Sequence, residues 1–161
     1  MLFKEIVGQS EVKKKLIQTV KDNRISHAQL FAGNEGVGKL PLAIAYAQYI
    51  SCENRQKEDS CGVCSSCVKY EKLIHPDLHF LFPIANVSSA SGSAAKASCF
   101  NPNILQEWRN SVQNNPYLEL NEWLGNIEIE NKQATINVKD CNEIIKILGL
   151  KALSFRCSQV A

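Results

Sequence analysis

The sequence has no apolar run approaching the about 18 residues that a membrane-spanning helix needs. Met1-Leu2-Phe3-Lys4-Glu5 lacks the apolar stretch of a signal peptide. A cytoplasmic protein is therefore the expectation. The chain also lacks a charge bias, since 18 Lys and Arg against 16 Asp and Glu leave a net charge of +2. That is too little to argue for nucleic-acid binding on electrostatics alone. Low complexity is absent too. With 45% apolar and 21% charged residues over 161 positions, a mostly disordered chain is excluded and one ordinary domain with its own core is expected. No internal repeat is visible. Cysteine is the residue in excess, with seven. An odd count without a signal peptide argues against a disulfide framework.

Helical periodicity is clear in several places. Val12, Leu16 and Val20 predict a helix over residues 10–23 with Ser10 as its N-cap. Lys13, Lys14 and Lys15 read as its solvated face rather than as a binding patch. Ala28-Gln29-Leu30-Phe31-Ala32 reads as a buried strand, and Leu42, Tyr46, Tyr49 and Ile50 as the helix that follows a glycine-rich loop. Leu78-His79-Phe80-Leu81-Phe82, stopped by Pro83, predicts a second strand. Residues 86–103, rich in Ser, Ala and Asn, read as a mobile surface loop without a packed core of its own. Ile104, Leu105, Trp108 and Val112 predict a helix ended by Asn114-Asn115-Pro116, and Leu120, Trp123, Leu124 and Ile127 another. Trp108 and Trp123 on these stripes are expected in a core. A strand is predicted over Ala134–Val138. A helix through Ile144, Ile145, Ile147 and Leu148 should follow, with Asp140 and Glu143 as a variant capping box and Gly149 as its stop. Three strands are few for a doubly wound sheet, so the chain reads as a piece of something longer.

Two motifs carry chemistry. Gly33-Asn34-Glu35-Gly36-Val37-Gly38-Lys39-Leu40 matches G-x-x-x-x-G-K-[ST] at every position but the last. Gly33, Gly36 and Gly38 let backbone N–H groups curl around a phosphate, the following helix adds its dipole, and Lys39 reaches the outer phosphates. The missing hydroxyl is the one that would ligate Mg²⁺. Leu40 has no oxygen, so the loop should hold Mg-nucleotide poorly and hydrolyse it worse. Pro41 suits the first helical turn, where its missing N–H costs little. Hydrolysis would also need an acidic residue at the end of a second apolar strand, and no apolar run here ends that way. No catalytic residue is assigned, and ATP is not expected as a cofactor.

The second motif is Cys52, Cys61, Cys64 and Cys67, spaced C-x8-C-x2-C-x2-C. Four thiolates can enclose one structural Zn²⁺, and two-residue spacers let neighbouring sulfurs converge. Four free or disulfide-bonded cysteines, or a redox dithiol pair, are the alternatives. Cys99, Cys141 and Cys157 show no such spacing, and Cys141 reads as a small residue at a helix start. With four cysteines sufficient, His27, His75 and His79 read as structural.

A phosphate loop followed by this cysteine set resembles the N-terminal part of bacterial clamp-loader subunits, the AAA+ proteins of DNA polymerase III (the gamma, tau and delta-prime group). In that family a zinc module is inserted after the phosphate-loop helix. Phe3-Lys4-Glu5-Ile6-Val7-Gly8-Gln9 is similar to the family box that lines the adenine pocket in active members, which implies Ile6, Val7 and Gly8 as nucleotide-site residues. Ser26 to Gly33 is similar to the lead into the loop, and His75-Pro76-Asp77-Leu78 to the segment after the zinc module. Residues 108–150 are similar in pattern to delta-prime subunits.

The resemblance implies an α/β fold, a partial parallel sheet with helices on both faces and a zinc-binding insertion at 52–67. It implies residues 1–161 as the N-terminal part of the AAA+ domain, with lid and collar domains lying elsewhere. Loss of the hydroxyl at Leu40 is the delta-prime pattern. The implied function is to help load the sliding clamp onto primed DNA beside gamma/tau and delta subunits, touching DNA only through the assembly. Arg156-Cys157 is preceded by Phe155 rather than serine, so the family's Ser-Arg-Cys finger is not matched. The alternatives are a motor ATPase of the same group that tolerates Leu40, and a zinc-dependent nucleic-acid module, for which no basic and aromatic surface is readable.

Overall fold

The computed structural model describes residues 1–84, 98–127 and 134–149. They divide into two compact units, one from Met1 to Leu78 and one from His79 onward.

The first unit holds a 3-10 turn at Phe3–Glu5 and helices α1 (Ser10–Lys21), α2 (Lys39–Ser51) and α3 (Ser65–Glu71). Its core joins Phe3 and Ile6 to Leu16, Ile17 and Val20 of α1 and to Leu42, Ala45, Tyr46 and Tyr49 of α2. Two of the three expected α1 positions face inward. Val12 does not, at 38% exposed, and Ile17 takes the inward place. The cap differs by one residue, since Gln9 stands in the left-handed region before α1 and Ser10 is its first helical residue. α2 is buried on most sides, as expected of its alanine-spaced apolar residues. The Tyr46 hydroxyl lies 3.0 Å from Thr19 Oγ1 and accepts from Gln29 Nε2 at 3.0 Å, so its one polar atom is satisfied inside the core.

The second unit holds α4 (Pro102–Asn114), α5 (Leu120–Asn126) and α6 (Val138–Leu148). The Asn101 side chain accepts from Asn103 N and Pro102 occupies the first turn, the favoured way to start a helix. The core is aromatic. Phe82 stacks on Trp108 with ring centroids 4.3 Å apart, and Trp123 meets both rings edge-on at 5.1 and 5.0 Å. Both tryptophans are core residues, as expected, and Trp123 Nε1 donates to Pro83 O at 3.0 Å.

The expected strands are not formed among the described residues. Their only β pairing is an isolated antiparallel bridge between Ile84 and Thr135. Residues 28–32 form no ladder, and Leu30 is 91% exposed instead of buried. A buried parallel strand owes its burial to the neighbours on each side, and no described segment pairs with this one. Residues 78–82 form no pairing either, and 134–138 pair only through the single bridge at Thr135. Ile136 is exposed, and Val138 already belongs to α6. The parallel sheet is therefore not shown.

Two further expectations are corrected in the second unit. Asn137, not Asp140, caps α6, its side chain accepting from Asp140 N at 2.8 Å, and Glu143 pairs with Lys146. The surface-loop reading of 86–103 fails at its end. Cys99 is 2% exposed and exchanges contacts with the Phe82 backbone, and Pro102 starts α4. Residues 86–97 of that loop, and Arg156 and Cys157, lie outside the described residues.

Candidate metal centre and phosphate loop

The cysteine cluster is built from the end of α2, the loop after it and the start of α3. Cys52 is the residue that closes α2, and Cys64 is the N-cap of α3, its sulfur accepting from Cys67 N at 3.5 Å. Between them Gly62 adopts φ +75, a left-handed conformation that a side chain would strain. The N–H of Cys64 then points at Cys61 Sγ (3.4 Å) and the N–H of Cys61 at Cys52 Sγ (3.4 Å).

All four sulfurs lie within 4.8 Å of one another. The Cys52–Cys61 and Cys61–Cys67 separations are 3.6 and 3.9 Å. Thiolates placed tetrahedrally at about 2.3 Å from one ion would stand about 3.8 Å apart, so the cluster fits a closed four-sulfur metal site.

The thiols are shifted in opposite directions. Backbone N–H groups of Val63 and Cys64 draw the Cys61 thiol down to about 6. Burial pushes the thiols of Cys52 and Cys67 up. Four thiolates without a cation would repel, and a divalent ion makes all four compatible in one nest.

The surroundings hold the cluster in place. Ser65 Oγ donates to Glu53 Oε1 at 2.9 Å across the loop. Arg55 donates from Nε to Tyr49 O (2.9 Å) and from Nη2 to Ile50 O (2.6 Å), which satisfies carbonyls at the end of α2. His75 is buried and stacked on Tyr70 at 4.4 Å. Its Nδ1 accepts from Asp77 N, which leaves Nε2 to donate to Ser66 Oγ at 3.2 Å, and burial lowers its pKa. His27 and His79 are exposed.

The phosphate loop opens α2, with Gly38 as its N-cap at φ +90. Lys39 Nζ donates to Gly33 O (2.9 Å) and Asn34 O (2.5 Å), so the ammonium lies across the mouth of the loop. Leu40, next in the helix, puts a half-buried hydrocarbon where the motif has a hydroxyl. Of the box residues, Ile6 is in the core, Val7 is 79% exposed and Gly8 is exposed. Gln9 Nε2 donates to Val37 O at 3.4 Å, which ties the box to the loop.

Asp59 is the residue that the sequence did not single out. Its carboxylate accepts from Phe3 N and Lys4 N at 3.0 Å each and from Ser60 N at 2.8 Å. Nothing in the sequence separates it from Glu53 or Glu58. Only its place directly before Ser60-Cys61 was readable.

The family described as "DNA polymerase III, delta subunit" matches residues 8–153. DNA polymerase III subunit delta' of Bacillus subtilis is 39% identical over 75 residues, 47% of this chain and 22% of the relative. DNA polymerase III subunit tau/gamma of Haemophilus influenzae is 37% identical over 70 residues, 44% of this chain and 10% of the relative. DNA polymerase III subunit tau of Escherichia coli is 39% identical over 70 residues, 44% of this chain and 11% of the relative. The matched stretch thus spans less than a quarter of each of these relatives. No solved structure matches. A family match running from Gly8 to Leu153 covers most of the sequence, and the chain belongs to the DNA polymerase III delta subunit family, within the clamp-loader group of AAA+ proteins.

Proposed function

We propose that this chain serves as a non-hydrolysing, delta-prime-type subunit of the DNA polymerase III clamp loader. It would act beside gamma/tau and delta subunits to help load the sliding clamp onto primed DNA, in the cytoplasm and without its own DNA site. Its place in the assembly would be that of a scaffold, the phosphate-loop part of an AAA+ domain with a zinc module at 52–67. Cys52, Cys61, Cys64 and Cys67 would hold one structural Zn²⁺, which supplies a cross-link and no reactive position, since all four coordination sites are filled by sulfur.

The observation that carries this reading is Leu40. Mg²⁺ takes oxygen ligands, and the side chain after Lys39 offers none. The other nucleotide-site residues, Ile6, Val7, Gly8, Gly33, Gly36, Gly38 and Lys39, would form a degenerate pocket with no catalytic member. ATP turnover by the protein without motor subunits is the test. The expected rate is background, and turnover above background would contradict the proposal. The second reading, a motor ATPase of gamma/tau type, is favoured by the intact glycines and Lys39 and by the similarity to tau and tau/gamma subunits. It requires magnesium-dependent binding, and no detectable binding at millimolar ATP removes it.

A further inference from the structure

We propose that metal binding at the four cysteines orders the segment Met1–Gln9 through the carboxylate of Asp59, so that the metal site sets the position of the box beside the phosphate loop. This rests on the reading of the cluster as a metal site.

The loop from Glu53 to Glu58 is exposed throughout, and its ties to α2 sit away from Cys61, at Arg55 and where Tyr49 Oη donates to Gln56 O at 3.2 Å. It is closed at its two ends by Cys52 and Cys61. Gln56 N donates to Asp59 O at 2.9 Å, which closes a turn at the base of the loop. Asp59 lies two residues before Cys61, so holding Cys61 in a four-sulfur nest fixes the backbone that carries the carboxylate. Both carboxylate oxygens are then used. Oδ1 accepts from Phe3 N and Oδ2 from Lys4 N, each at 3.0 Å. These are charge-assisted bonds to the amides at the start of the 3-10 turn, stronger than neutral ones provided that the acceptor is held still. A second contact runs beside them. The space where a Gly62 side chain would begin is 3.7 Å from Leu2 Cδ1, so Leu2 packs on the cysteine knuckle itself.

From the turn the order passes along the chain. Ile6 N donates to Phe3 O at 3.2 Å, and Lys13 Nζ donates to Ile6 O. Gln9 then reaches Val37 O inside the phosphate loop. Without the metal the end of the loop next to Cys61 regains conformational freedom, the carboxylate is no longer fixed, and the first link of this series opens.

Amide hydrogen exchange at Phe3, Lys4 and Ile6 tests the coupling. It would be measured on the zinc-loaded chain, on the chain stripped by a chelator, and on the D59A and D59N variants in both states. Zinc content is read in parallel with a metallochromic dye. Stripping is expected to speed exchange at Phe3 and Lys4 by about tenfold or more. D59A should speed the same amides while keeping its zinc, and stripping D59A should add nothing further there. D59N, which keeps one acceptor oxygen, should fall between.

The proposal is overturned if stripping leaves Phe3 and Lys4 as protected as in the loaded chain. It is equally overturned if zinc-loaded D59A protects them as the parent does, or if stripping D59A accelerates them as much as in the parent, because the two effects are then independent. Should stripping unfold α1 while loaded D59A leaves α1 folded, the metal acts by a route other than Asp59 and the proposal is overturned as well. A chain that takes up no zinc fails the metal reading itself, whereas zinc uptake without a change in exchange fails only the coupling.

Discussion

Asp140 and Leu40 decide local chemistry one side chain at a time. Asp140 is 2% exposed. Burial alone would raise its pKa, but bonds from Ser98 Oγ (2.7 Å), Cys99 N (3.0 Å) and Asn137 Nδ2 (2.9 Å) outweigh it and hold the carboxyl below its ordinary value. A carboxyl lowered on folding contributes stability above its unfolded pKa of about 4, and loses it as pH falls through the lower folded value. Acid should therefore weaken the second unit, as followed by near-ultraviolet dichroism of Trp108 and Trp123. Asp140→Asn should cost about 1–3 kcal/mol at neutral pH and make that unit's stability flatter below pH 5. A variant with the parent's neutral stability and the parent's acid slope would refute this assignment. Cys99, whose thiol burial pushes up to about 11, stays neutral throughout and acts as a small buried residue.

Among the elements, helices were legible in the sequence and strands were not. A helix satisfies its own backbone, so a 3.6-residue stripe such as Ile104, Leu105, Trp108 and Val112 is enough to announce α4. A strand needs a second segment, and the apolar run at 28–32 could not reveal whether one lies beside it. Cap positions were off by one residue at Ser10 and by three at Asp140, because Gln9 and Asn137 lie outside the apolar periodicity and are chosen by backbone conformation. The aromatic identity of the second core was legible from Trp108 and Trp123, but their meeting with Phe82 was not, since that contact joins positions distant in sequence. Trp123 is fully enclosed there and also bonds Pro83 O. Trp123→Ala should destabilise this unit by about 3–5 kcal/mol in denaturant melts. A loss under about 1 kcal/mol, at most a third of the expected cost, would mean that the α4–α5 pairing does not depend on the aromatic cluster.

At the scale of the whole molecule, the site was more legible than the fold. The C-x8-C-x2-C-x2-C spacing named all four sulfurs that converge, because two-residue spacers have few ways to place their thiols apart. The glycines and Lys39 of a phosphate-loop pattern, and the lack of an oxygen at Leu40, were readable from the sequence. What the spacing could not give was Asp59, whose partners are backbone amides of the N-terminus and leave no mark on the sequence. Family membership adds the clamp-loader context, and in the proposed function the division between motor and scaffold turns on Leu40. A fluorescent ATP titration with Mg²⁺, run side by side on the parent and on Leu40→Thr, tests that division most directly. The variant is expected to bind and the parent not to. A parent that binds as tightly as the variant would contradict the scaffold reading.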